Sequence, residues 1–385
     1  MGTKGAKRYA SNRSGARMAI ALALCASLLG AASCSAPGPP KPSKSADPLA
    51  AAIAAEMNAY TNDDNIRAII VQVDGRTRFE HYYSSSAGES RSSFSVTKSL
   101  MSTLAGIAIS EGKLRLDERL DEMLPRQAPK MNSRVARVTL RQILTMTGGF
   151  PDTWNLPGND PLQTAPNWTN YILAHQDRAP GVEWHYSDYG AHLLSPILVQ
   201  ATGQSVLSYA REKLFDALGI STRPAVESPL DPAHLPAYLH AHFAWPVDPQ
   251  GFNLGADGLK LRPRDMAALG QLYLQGGRWH GRQVVPAEWV RQATTAECRK
   301  AVVADLPGYG AFDPQNYGYL WWVEKTDGAD AYYALGFAGQ RIEVVPSRHL
   351  VIVVSSDVDL TTPHPRAVGP DDTQRLVDVI ARLAH

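Results

Sequence analysis

The distribution of strand and helix patterns along the chain limits its fold more than any single residue does. Two alternating apolar runs, "RAIIVQV" (67–73) and "RTRFEHYY" (76–83), flank Asp74-Gly75, a dipeptide that favours a tight hairpin turn. A second group of strand-like runs closes the chain: "YGYLWWVE", "AYYALGF", "QRIEVVP" and "LVIVVSS". Between the two groups, about 200 residues carry helical spacing and loops instead. Helices are expected from His192 to Thr202, from Val206 to Ala217 and from Pro263 to Leu274. An Ala-rich helix over Leu49–Tyr60 and a last one over Thr373–Leu383 bracket the body. Strands must pair, so the economical solution is an α+β fold. One antiparallel sheet is built from both chain ends, terminal helices cover it, and a helical lobe is inserted. The sheet lobe takes in about 48–98 and 300–385, and the helical lobe about 99–299. A site is expected where the lobes meet.

The first 47 residues read differently. Lys4, Lys7, Arg8, Arg13 and Arg17 precede the apolar run "MAIALALCASLLGAA", which ends at Ser33-Cys34. This is the pattern of an export signal over 1–34, too short for a comfortable membrane span. Small residues before a cysteine resemble a bacterial lipoprotein signal, in which Cys34 carries the lipid; Ala31 stands where that signal usually has leucine, so ordinary cleavage nearby is the alternative. The Pro/Ser/Lys segment 35–47 reads as a tether, leaving 48–385 as the folded domain. The expected location is the cell envelope, with membrane contact through the Cys34 anchor only.

The basic signal also distorts the charge balance. Taking its five cations from the chain's 38 basic residues leaves 33 against 37 acidic ones, a net of −4. Nucleic acid is therefore not an expected partner. Of three cysteines, Cys25 and Cys34 belong to the signal, so Cys298 is alone in the body and reads as a core thiol.

Chemistry enters at "RSSFSVTKSL" (91–100). Ser95 precedes Val96, Leu100, Met101, Leu104 and Ile107, which are spaced as one face of a helix. Its simplest role is an N-cap whose oxygen accepts an orphan N–H. But Lys98 lies three residues on and therefore on the same face. The helix dipole and partial burial both favour a neutral lysine there, and a neutral lysine beside a serine is a general base beside a nucleophile. Ser110-Glu111-Gly112-Lys113 has the same spacing but sits where the helix ends, so no nucleophile is expected there. Two further stretches are candidates for partners. "GVEWHYSDYG" carries Tyr186-Ser187-Asp188. "LGFAGQ" (335–340) carries glycines inside a strand run, which mark close approach of another backbone or a ligand. Tyr60-Thr61-Asn62 precedes the serine, and Lys325-Thr326-Asp327-Gly328 reads as a hairpin tip, so both are set aside.

Ser-x-x-Lys, then Tyr-x-Asp, then a glycine-bearing strand resembles the serine β-lactamase and penicillin-binding protein superfamily. The similar branch is the class C type, with its esterase and 6-aminohexanoate-dimer hydrolase relatives. "GKLRLDERLDEMLP", "VTLRQILTMTGGF", "PGVEWHYSDYGAHLL", "GADGLKLRPRDMAALGQLYLQGG" and "YGYLWWV" support it in order from Leu49 onward. The resemblance implies a β-lactamase/transpeptidase-like fold. It implies Ser95 as the acylated nucleophile, and Lys98 and Tyr186 as the proton-transfer pair. The backbone N–H groups of Ser95 and Gln340 would form the oxyanion hole. Asp188 stands where asparagine is usual, and Phe337-Ala338-Gly339 where Lys-Thr-Gly or His-x-Gly is usual. Those four residues and Trp154 would line the site or support it. The missing lysine weakens an antibiotic-hydrolase reading, because that lysine helps hold a substrate carboxylate; Arg341 could substitute only if its side chain faces the site.

Rival classes lack residues. A Ser-His-Asp hydrolase of the elbow type needs Gly-x-Ser-x-Gly, which is not in the chain. His234, His240 and His242 cluster without a placed carboxylate, so no metal or other cofactor is expected. Ser95, Lys98 and Tyr186 together argue against a non-catalytic cell-wall peptide binder, which stays as the second alternative. The reading is an exported serine hydrolase of a small ester or amide, with a true β-lactamase or D-Ala-D-Ala carboxypeptidase as the alternative. Phe150, Trp154, Trp184, Trp245, Phe252 and Phe337 are the aromatic candidates for an apolar site, and at least half of them should be core.

Overall fold

The computed structural model describes residues 47–57, 65–151, 161–301, 315–358 and 368–384, all within one compact unit. Its centre is an eight-stranded antiparallel sheet. We number its strands β1 (Ile66–Val73), β2 (Arg76–Tyr82), β3 (Cys298–Ala301), β4 (Gln315–Tyr317), β5 (Trp322–Thr326), β6 (Ala329–Gly336), β7 (Gln340–Val345) and β8 (Leu350–Ser356). Their spatial order is β2-β1-β8-β7-β6-β5-β4-β3, so the first hairpin joins the C-terminal strands through β1 and β8. The sheet from both chain ends is therefore observed. Asp74 (φ 51°) and Gly75 (φ 71°) make the β1–β2 turn, and Asp327 (φ 44°) and Gly328 (φ 79°) repeat it between β5 and β6. Two successive left-handed residues match the twist of a two-residue hairpin. Lys325-Thr326-Asp327-Gly328 is thus a hairpin tip, as its composition indicated.

The apolar run of β8 shows how the sheet is held. Leu350, Ile352 and Val354 point into a core with Ile53, Met57, Leu376, Val377 and Ile380. These come from α1 (Pro48–Met57) and α6 (Pro370–Leu383), the terminal helices. Val351 and Val353 point the other way, into the larger core with Ile342, Val344, Leu269 and Leu272. That face is covered by α2 (Val96–Ser110) and α5 (Pro263–Leu274). Period-two alternation with both faces buried explains why β8 reads as an unbroken hydrophobic run. Each buried valine, leucine or isoleucine contributes about 1.5–3 kcal/mol, so both cores anchor the same strand.

Two expectations need correction. "YGYLWWVE" is not one strand. The chain breaks between β4 and β5, where Gly318 N–H donates to Trp321 O (2.8 Å) and Leu320 takes φ 58°. The turn is captured from outside: Tyr319 N–H bonds Ala293 O (3.0 Å) and Leu320 N–H bonds Leu144 O (2.9 Å). The helix expected from His192 starts two residues later, as α4 (Leu194–Thr202), and is preceded by a separate short helix, α3 (Asp188–His192). Ser187 starts α3 by accepting Gly190 N–H at 2.9 Å. Strand β3 was not anticipated, because "CRKA" has no apolar alternation.

Candidate active site

Ser95 occupies the N-cap position of α2, but its oxygen makes no capping bond. Its backbone is already αR (φ −67°, ψ −6°), whereas a side-chain cap needs an extended residue. The Oγ instead accepts a hydrogen bond from Lys98 Nζ at 2.8 Å. The simple cap role is overturned, and the one-turn spacing brings the two side chains together. Phe94, just before, has φ 45°, a conformation that costs a bulky residue on the order of 1–3 kcal/mol. The turn is held from the side. Ser93 N–H and Oγ both donate to Leu259 O (2.8 and 2.7 Å), and Ser92 pairs with Lys260.

Lys98 is 2% exposed and finds three acceptors: Ser95 Oγ, Ala256 O at 2.8 Å and Asp188 Oδ1 at 2.6 Å. Two of these are hydrogen bonds, to Ser95 Oγ and Ala256 O, and the third is an ion pair with Asp188. Burial alone would push this lysine down. The charge and hydrogen bond of Asp188, then the charges of Asp257 and Tyr317, override it and hold Lys98 above the ordinary lysine value. Burial and the helix dipole, which favour a neutral Lys98, are therefore outweighed by Asp188, as expected if Tyr186-Ser187-Asp188 folds as in the family the chain resembles.

Tyr186 is buried beside this pair, with Lys98 Nζ 4.9 Å from its ring centre. Trp322 stacks on it (6.1 Å, 15°), and Trp184 packs against Tyr186, Tyr317 and Trp322. The Tyr317 phenol is pushed well up by burial first and by Tyr186 next, with Lys98 acting against them. Tyr317 and the Ala256 carbonyl are parts of the site that the motifs missed. The first lay inside a stretch read as strand, and a carbonyl has no sequence signature.

The glycine-bearing stretch folds as a three-residue turn, with Gly336 paired to Gln340 across it. Ala338 (φ 61°) and Gly339 (φ 84°) make the turn. A Cβ on Gly336 would stand 2.3 Å from Ser93 O, so only glycine lets this edge lie against the turn that leads into Ser95. Phe337 is buried edge-on against Phe94 at 5.5 Å. The Gln340 side chain is committed elsewhere, donating to Ser356 O at 2.6 Å and accepting from Ser355 Oγ at 3.2 Å. Arg341 points to the opposite face. It is fully buried with Glu343 and Glu324 at 2.6 Å each, and its guanidinium lies 3.8 Å from the Tyr333 ring centre. It therefore cannot stand in for the missing lysine.

Other candidates disperse. Trp154, Cys34 and Tyr60-Thr61-Asn62 lie outside the described residues. Phe150 and Trp245 are core, while Trp184 and Phe337 stand at the site. Ser110 donates to Ile107 O at the end of α2, with Gly112 left-handed just beyond. His234 pairs with Asp231 and His240 with Pro236 O. Among the described residues, no three His, Cys, Asp or Glu side chains group as a metal site. Cys298 is half-buried and its thiol is pushed up by burial.

A sheet with helices on both faces, and a buried serine–lysine pair at the start of a covering helix, is the architecture of a family of serine hydrolases. Residues 67–373 match the beta-lactamase family, and the chain belongs to it. Penicillin-binding protein 4 of Amycolatopsis lactamdurans is 25% identical over 283 residues, covering 70% of this chain and 72% of that protein. The 6-aminohexanoate-dimer hydrolase of Paenarthrobacter ureafaciens is 31% identical over a shorter stretch of 119 residues, covering 31% of this chain and 30% of that protein. The solved beta-lactamase/D-alanine carboxypeptidase of Pseudomonas syringae superposes with a TM-score of 0.61 at 16% identity, over 88% of this chain and 99% of that one. The resemblance inferred from motif order is thereby borne out.

Proposed function

We propose that the protein hydrolyses an uncharged ester or amide through an acyl-enzyme on Ser95. The observation that carries this is the Ser95–Lys98–Asp188 chain, with contacts of 2.8 and 2.6 Å. Lys98 donates to Ser95 Oγ at rest, so the group formed by Lys98, Asp188 and Tyr186 must first lose one proton. It can then take the Ser95 proton as Oγ attacks the substrate carbonyl. That proton passes to the departing alkoxide or amine. Water attacks the acyl-enzyme in the second half, gives its proton to the same group, and Ser95 recovers its own. Ser95 N–H and the backbone of the Gly336–Gln340 turn are the donors proposed for the oxyanion.

The substrate class follows from the edge beside Ser95. Phe337 occupies it, and Arg341, the only basic residue between Ala329 and Val345, faces away. A substrate carboxylate finds no partner on this edge, which favours small esters or amides over penicillins. Ser95→Ala should abolish turnover of p-nitrophenyl butyrate with the fold intact, while Ser110→Ala should leave the rate unchanged. Equal rates in the two variants would remove the nucleophile assignment. Nitrocefin hydrolysis at a higher kcat/KM than the ester would remove the substrate class.

A further inference from the structure

We infer that His192 is a positioning residue for Lys98, acting through the backbone of Gly255 and Ala256. This rests on reading Ser95 and Lys98 as the reacting pair. Asp188 and His192 are four residues apart on α3, hence on one face. Asp188 reaches Lys98 directly. His192 reaches it in two steps. Its Nδ1 accepts the Gly255 N–H at 3.2 Å, and the next residue, Ala256, offers the carbonyl that accepts from Lys98 at 2.8 Å.

The tautomer of His192 is determined by its partners. Nδ1 faces an N–H and must accept, so the ring proton sits on Nε2 and donates to Asp248 Oδ2 at 3.2 Å. Both side chains are buried, 3% and 0% exposed. Asp248 Oδ1 accepts from the N–H groups of Gln250 (2.8 Å) and Phe252 (2.9 Å), which closes the loop on itself. Gln250 ties the same loop to Trp168 N–H and Pro166 O. The far end is seated against α3: a Cβ on Gly255 would stand 2.8 Å from Ala191 O. The segment 245–257 is therefore a rigid bracket. Its anchor is the His192–Asp248 pair and its working end is the Ala256 carbonyl. One short helix thus supplies Lys98 with a charged acceptor and, through the bracket, a neutral one.

Two amides separate the two bonds of the ring. His192→Asn places an oxygen near Nδ1, keeping an acceptor for Gly255 and losing the Asp248 donor. His192→Gln places a donor near Nε2, keeping Asp248 and losing the Gly255 acceptor. Asn should lower thermal stability more, because it leaves a buried carboxylate oxygen without its partner. Gln should lower kcat more, on the order of tenfold to hundredfold with KM little changed, since a misplaced catalytic group costs rate. Its acidic limb should also move to lower pH, because Lys98 loses an acceptor that favours the ammonium. Hydrogen exchange of the Gly255 amide should be fast in Gln and slow in Asn whatever the chemistry. Equal kcat losses in the two amides, an unmoved limb in Gln, or equal Gly255 exchange overturns the inference while leaving the nucleophile assignment standing. Full turnover in Ser95→Ala removes that assignment and the inference with it.

Discussion

Two buried cations in this molecule have nearly the same first contacts and, on the proposed function, opposite roles. Lys98 is 2% exposed and Arg341 fully buried, and each has a carboxylate oxygen at 2.6 Å. Around Arg341, every neighbour is structural. Glu343 and Glu324 flank it, Thr326 donates to Glu343 at 2.5 Å, Gln374 of α6 accepts from the guanidinium at 2.5 Å, and the Tyr333 ring covers it. Around Lys98, one neighbour is a serine oxygen with no other duty, and Asp188 is 21% exposed on its side chain. An ion pair sealed under a helix holds the fold. The same pair with one hydroxyl partner and one partly solvated carboxylate can exchange a proton. What separates them is the third neighbour and its access to solvent, not the charge pair.

The largest expected effect comes from removing each cation. Lys98→Met should lower kcat/KM for the ester by about 10²–10⁴ while the protein stays folded, because Asp188 can be solvated. Arg341→Met should do the reverse. It strands a fully buried Glu343, which costs about 3–5 kcal/mol, while activity per folded molecule is kept. Denaturant unfolding and active-site-normalised rates on the two variants check this; similar losses of stability would erase the distinction drawn above.

Next in size is Asp188→Asn. The Asp188 charge is part of what holds Lys98 above its ordinary value, so removing it lets the proton leave more readily. The acidic limb of kcat/KM should move to lower pH by about 1 unit, the scale of an opposite charge within hydrogen-bond reach. A limb that stays in place would mean that Lys98 does not govern it.

The smallest effect belongs to the structural cluster. Glu324 is pushed up to about 7, by burial first, with Arg341 opposing and Glu343 adding. A carboxyl raised above its unfolded value of 4.5 stabilises the fold fully below that value and loses the contribution as pH rises through 7. Melting temperature should therefore decline across this window in the natural protein. Glu324→Gln should make the decline shallower without removing it, because Glu343 is raised in the same sense. An unchanged slope would show that Glu324 keeps its charge throughout.

The sequence by itself determined most of the sheet, two of its hairpin turns and the closeness of Ser95 and Lys98. Val351 and Val353 against Ile352 and Val354, Asp74-Gly75, and Ser95 with Lys98 one turn later are arrangements of near neighbours. Period-two alternation, left-handed turn chemistry and helical spacing are properties of a few consecutive residues. Even the departure at Asp188 was legible by order along the chain. Only the tertiary structure decided the state of that pair. Lys98 is held above the ordinary lysine value because Asp188, 90 residues away in sequence, arrives at 2.6 Å, and the Ala256 carbonyl, 158 residues away, accepts from it at 2.8 Å. Gly336 gained its purpose from Ser93 O, and "YGYLWWVE" broke because Ala293 and Leu144 offer carbonyls to its turn. A protonation state depends on charges and dipoles within a few ångströms, whatever their sequence separation, so it is decided by packing and cannot be read from spacing.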